Sequence, residues 1–163
     1  MWILLAIGCV QFSTTSSLDT AESAVETTTQ TSCDDVESTS SSIIDVEPKE
    51  DPSGWIFSVT VSSPDTGCDQ YADWWEILST SETLIYRRIL NHSHVDEQPF
   101  TRSGEPINVS PTQTLVVRAH LNTGGYGQAM QGSITKGFSW TTLREDFAEI
   151  AESTEPLPTE CWY

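Results

Sequence analysis

Basic residues are scarce in this chain. It carries seven Lys and Arg against twenty-four Asp and Glu in 163 residues, a formal charge of −17. Phosphate recognition needs clustered cations that release counterions, so a nucleic-acid partner is excluded and an anionic membrane surface is disfavoured. No apolar run approaches the ~20 residues that a transmembrane helix requires. Gly-rich phosphate loops, a nucleophile elbow and a Cys-x-x-Cys pair are also missing. Ser and Asp abound, yet nothing orders them around a His as a catalytic triad would demand. Histidines number three and cysteines four.

What is present divides unevenly along the chain. Residues 1–53 hold ten acids and one Lys, residues 54–136 eight acids and five bases, and residues 137–163 six acids and one Arg. Low hydrophobicity with like charge cannot offset chain entropy, so residues 10–53 read as a disordered Ser/Thr/acid-rich linker. A folded domain is expected over 54–136, followed by an acidic tail over 137–163. About 80 residues is near the lower limit for a self-sufficient core.

Residues 1–9 read as an export signal. Trp2 to Ile7 form a short apolar run ending in Gly8-Cys9, and no Lys or Arg precedes it, so the n-region is missing or the start codon is misplaced. Leu5-Ala6-Ile7-Gly8-Cys9 resembles a bacterial lipobox, in which Cys9 would be lipidated and the linker would become a tether. Ordinary cleavage a few residues later is the competing reading. The expected location is secreted, or a periplasmic or cell-surface lipoprotein, with membrane contact only through Cys9. Export permits disulfides among Cys33, Cys68 and Cys161, and the spacing alone leaves their pairing open. Asn91-His92-Ser93 and Asn108-Val109-Ser110 match the glycosylation sequon, which matters only in a eukaryotic source.

Within the domain, Trp55, Phe57, Val59 and Val61 alternate with Ile56, Ser58, Thr60 and Ser62, the period of a half-buried strand. Further strands are expected over 71–78, 84–90, 114–121 and 130–135, with a short one at 107–109. Leu115, Val117, Ala119 and Leu121 should share one face. Turn signals between them predict a small antiparallel β-sandwich of about six strands, all-β in class. Thr142-Leu143-Arg144-Glu145 has the form of a capping box, predicting a short helix over 142–151 with Leu143, Phe147, Ile150 and Ala151 on its packing face.

Three constellations are candidates for chemistry. His92 and His94 are two apart, and with His120 on another strand they form a candidate divalent-metal site. Asp65, Asp69 and Asp73 supply oxygens for calcium, although their spacing matches no calcium loop. Trp74 and Trp75 are neighbours on a strand and must face opposite ways, so one would fill the core and the other would face outward or lie under a cover. With Tyr126, they are the candidate binding residues for a protein or glycan partner.

Pro64-Asp65-Thr66-Gly67-x-Asp69-x-Tyr71-Ala72-Asp73-x-Trp75-Glu76 and His92-x-His94-Val95-Asp96-Glu97-Gln98-Pro99-Phe100-Thr101-Arg102-Ser103 resemble stretches in a family of small, uncharacterised, exported bacterial proteins. Val117-Arg118-Ala119 with Gly125-Tyr126-Gly127 looks like that family's closing motif. The likeness covers about residues 55–135 and implies export and a β-domain without an assigned activity. Cys68 stands where a Trp is usual, Ser93 where a Pro is usual, and Gly124 where a His is usual, which weakens a metal site here. Glu97, Arg102 and Arg118 suggest a structural clamp, with Glu97 paired to Arg118. The leading expectation is a non-catalytic exported binding protein, and the alternative is a metal-binding protein or metalloenzyme.

Overall fold

The computed structural model describes residues 39–162. The export signal, Cys9, Cys33 and most of the expected linker lie outside those residues. The strands are β1 (Ser42–Asp51), β2 (Gly54–Ser62), β3 (Ala72–Ser79), β4 (Leu84–Ile89), β5 (Phe100–Ser103), β6 (Leu115–Leu121), β7 (Gly125–Tyr126), β8 (Ala129–Ser133) and β9 (Gly137–Thr141). One helical turn, α1 (Glu149–Glu152), follows.

They form two antiparallel sheets, as the alternation predicts. One has the order β1-β2-β5. The other runs β4-β3-β6-β8-β9, with β7 paired to β6. Between the sheets lie Phe57, Val59 and Val61 from β2, Trp75 and Ile77 from β3, and Leu115, Val117 and Ala119 from β6. Burying one indole removes ~200 Å² of surface, on the order of 5 kcal/mol at ~25 cal/mol per Å² before side-chain entropy is charged against it. Trp75, with no exposure at all, is the largest such group.

The expected domain limits need correcting at both ends. Residues 42–51 do not belong to the linker: they form β1, paired along its length with β2 through a tight turn at Pro52-Ser53. Only Ile43 and Val46 of β1 are buried. An edge strand with one face in water needs few apolar residues, tolerates Pro48, and is protected from stray pairing by its charges. Gly54 closes this hairpin at φ +142°, and a Cβ there would lie 2.5 Å from the Ile107 carbonyl oxygen. Only glycine suits that position.

At the other end, β9 extends the second sheet beyond residue 136. The helix is one turn rather than ten residues. Ala148 adopts a left-handed conformation immediately before it, which interrupts any helix begun at Thr142. Leu143, Phe147, Ala148 and Ala151 nonetheless pack on Leu78, Val116, Ala129 and Leu84, forming a second apolar cluster. Ile150 faces solvent instead. Residues 142–156 are therefore a strap over the outer face of the larger sheet.

Candidate functional site

A bulge decides which β3 residues face that strap. The register with β6 shifts between Ala72 and Trp74, so Ala72, Trp75 and Ile77 point into the core while Trp74 and Glu76 point outward. The division expected of Trp74 and Trp75 is observed, but neither indole is available to a partner. Trp74 is 4% exposed, with its ring stacked on His120 at 3.8 Å and the Arg87 guanidinium 4.6 Å above it. Tyr126 completes this aromatic group, its ring 6.4 Å from Trp74 and 5.0 Å from His120. Its hydroxyl is pushed well up from the ordinary phenol range, first by burial and then by the Glu76 carboxylate.

Glu76 organises the outer face. It stands in register with Arg87 on β4 and Arg118 on β6, one guanidinium on each side. Arg118 Nε donates to Oε1 at 2.7 Å, and Arg87 Nε donates to Oε2 at 2.8 Å. The remaining donors reach the strap. Arg87 bonds the carbonyls of Ala151, Thr154 and Pro156, and Arg118 those of Phe147 and Ala148. Arg118 also lies 3.6 Å above the Tyr126 ring. The clamp expected between Glu97 and Arg118 is thus not formed, because each pairs closer to hand. Glu97 takes Arg102 at 2.6 Å on the surface, which lowers its carboxyl pKa. A cavity of about 710 Å³ lies beside Arg118 and Tyr126; the Arg118 donors there are already engaged, while the buried Tyr126 hydroxyl has no partner.

The histidines separate. His120 Nδ1 lies 2.6 Å from Asp73 Oδ1 on the outer face. His92 and His94 sit together on the 91–97 loop with ring centroids 4.5 Å apart. No group of three or more His, Cys, Asp or Glu among the described residues is arranged to hold a metal ion. The three acids of the 65–73 turn also diverge. Asp65 accepts from the backbone N–H of Ala72 and of His94, fastening the 91–97 loop to β3, while Asp73 turns to His120.

That loop builds a second polar site of different character. A cleft of about 440 Å³, lined by Gly67, His92–Glu97 and Trp162, lies within the ~300–1,000 Å³ range of ligand sites. His94 is one wall and is only 2% exposed. Its ring stacks on Phe100 at 3.8 Å, yet neither ring nitrogen has a hydrogen-bond partner. Nδ1 stands 3.9 Å from Asp65, beyond bonding reach. Burial chiefly, with Arg102 next, pushes the imidazole pKa down to about 4, so it is neutral near pH 7.

The far rim is set by a disulfide between Cys68 and Cys161, whose Cα atoms are 5.6 Å apart. This holds the adjacent Trp162, whose N–H donates to the Asn91 carbonyl at 2.6 Å while its side chain remains 60% exposed. Val95 is the other exposed apolar residue on the rim. Trp162 was not among the expected binding residues. The signal available for it was Cys161 beside it, since a bridged cysteine fixes its neighbour.

No protein-family profile matches the chain, and no solved structure matches it significantly. A protein of Halomicrobium mukohataei described as "Putative lipoprotein" is 49% identical over 76 residues, 45% of this chain and 37% of that protein. The chain is therefore similar to little more than a third of that protein's length.

Proposed function

We propose that this chain is an exported, lipid-anchored protein whose β-sandwich is a binding module, with its ligand site in the cleft between the 91–97 loop and Trp162. Two lines support export and anchoring: the lipobox-like Leu5–Cys9 segment, and the similarity to a protein described as a lipoprotein. Cys9 would carry the lipid and the Ser/Thr/acid-rich segment would hold the domain away from the surface.

One observation carries the binding reading. His94 is buried against a cleft with both ring nitrogens unpaired, and a buried polar atom without a partner costs about 1–3 kcal/mol. A ligand that draws one of those nitrogens into a hydrogen bond recovers part of that cost. The exposed Trp162 and Val95 offer apolar surface beside it.

A small-molecule fragment screen on the isotope-labelled protein tests the site. Hits are expected to perturb amides of residues 92–97 and the Trp162 indole. A screen whose hits fall elsewhere, or that finds none, overturns the reading. Anchoring is tested separately by Cys9→Ser, which should move the protein from the membrane pellet to the soluble fraction.

A further inference from the structure

We propose that this cleft takes a small organic ammonium group, the charged end of an amine. The inference rests on the binding reading above and adds the charge and chemical class of the ligand.

Electrostatics eliminates the alternatives in turn. No Lys or Arg lines the cleft, whereas Asp96 and Glu97 do. An anion would find no lining cation, since Arg102, whose charge is felt at His94, is paired with Glu97. Residues 39–162 hold eighteen acids and seven bases, so the domain's own field also draws cations in. Arg102 is the nearest guanidinium and is held by Glu97, which leaves Asp96 as the carboxylate with no partner among the described residues. A neutral ligand would use the walls but leave Asp96 uncompensated.

The walls supply what an ammonium group requires. It has N–H donors and no acceptor, so it needs lone pairs and a π-face. His94 lines the cleft with an uncharged ring at neutral pH, so it does not repel a cation there. Asp96 offers a carboxylate, and the exposed Trp162 indole offers a face on which cations rest, worth ~0.5–1 kcal/mol at an open site. A transition metal is a poorer occupant. The rings of His92 and His94 lie 4.5 Å apart at 36°, a packed pair rather than a convergent one, and no three His, Cys, Asp or Glu among the described residues are grouped to hold a metal.

The test uses the full chain, calorimetry and nitrogen-correlated NMR spectra. The probes are n-butylammonium and its neutral counterpart 1-butanol. Butylammonium is expected to bind about tenfold tighter, the difference made by a charge-assisted bond, and to shift the His94 and Trp162 side-chain signals. Asp96→Asn and Trp162→Ala, both changes of surface groups, should each weaken it about fivefold. Trp140→Ala, on β9, should change nothing. Raising NaCl from about 0.05 M to about 0.5 M should weaken butylammonium several-fold through screening. Glucosamine and Nα-acetyl-lysine methylamide then separate an amino sugar from a protein lysine as the source of the group.

Equal binding of butanol and butylammonium overturns the ammonium assignment while leaving the cleft a ligand site. Binding of zinc that is abolished by His92→Ala, with no response to butylammonium, replaces it by a metal. Failure of every probe and every fragment at the cleft removes both this inference and the reading beneath it.

Discussion

Two buried polar clusters in this molecule have opposite states of completion. Glu76, Arg87 and Arg118 lie on the outer face of the larger sheet, and there the carboxylate is shared by two guanidiniums whose other donors reach five strap carbonyls. His94, on the 91–97 loop, is just as deeply buried, and both of its ring nitrogens are empty-handed. Satisfied buried charge holds a fold together and leaves no free charge for a ligand, although the Trp74 Nε1 and Tyr126 hydroxyl beside it are themselves unpaired. Unsatisfied buried polarity beside a cleft is a cost that folding alone does not recover, which points to an occupant.

The largest effect that would break this contrast lies in the first cluster. Glu76→Gln leaves two guanidiniums buried without their carboxylate counter-charge and should destabilise by about 3–5 kcal/mol in urea denaturation. Replacing Glu76, Arg87 and Arg118 together by Leu, Met and Met should restore most of that, because the uncompensated charge disappears with its partners. The strap, deprived of the two guanidiniums, should then exchange its amide protons faster.

The disulfide comes next. Cys161→Ser opens a crosslink spanning 93 residues and should cost about 2–4 kcal/mol, mostly through a freer unfolded chain. Because the bridge fixes the Trp162 rim, this variant should also lose ligand-induced shifts at the cleft while the Glu76 cluster keeps its spectrum.

His94 gives a pH-dependent effect of similar or smaller size. Its pKa is about 4 in the folded protein against 6.5 in the free side chain. Within that window the unfolded chain takes up a proton that the folded chain refuses. The contribution is therefore complete well above pH 6.5 and is lost as pH falls toward 4, by about 3 kcal/mol. Arg102 and His92 push in the same direction as burial, while Asp65 and Glu97 oppose it. His94→Phe keeps a ring to stack on Phe100 and should flatten this part of the stability profile relative to the parent. An unchanged profile would mean that His94 is hydrated.

The smallest effect belongs to the β9 edge. Trp140 is exposed and belongs to neither cluster, so Trp140→Ser should shift the unfolding free energy by no more than about 0.5 kcal/mol.

Strand periodicity made much of the sandwich legible in advance. The alternation in 55–62 and 115–121 located β2 and β6 and assigned their core faces, and the opposed neighbours Trp74 and Trp75 did divide between two faces. Composition misread β1, because an acidic edge strand with two buried residues looks like a solvated tail. Phe100–Ser103 gives no strand signal, since a four-residue strand is too short to show a period. Glu76 escaped notice for another reason. Its importance comes from register with Arg87 and Arg118 across two neighbouring strands, 11 and 42 residues away, and pairing of that kind is invisible until the sheet order is known. Trp162 carries no local signal because a disulfide brings it to the loop at Asn91, 71 residues earlier.

The most direct measurement watches both clusters at once. Side-chain nitrogen resonances of His94, Arg87 and Arg118 should be followed while n-butylammonium is titrated into the full chain. The account predicts that the His94 ring nitrogens shift while the two arginine Nε signals stay still. Movement of the arginine signals with a silent His94 would place the ligand under the strap and contradict it.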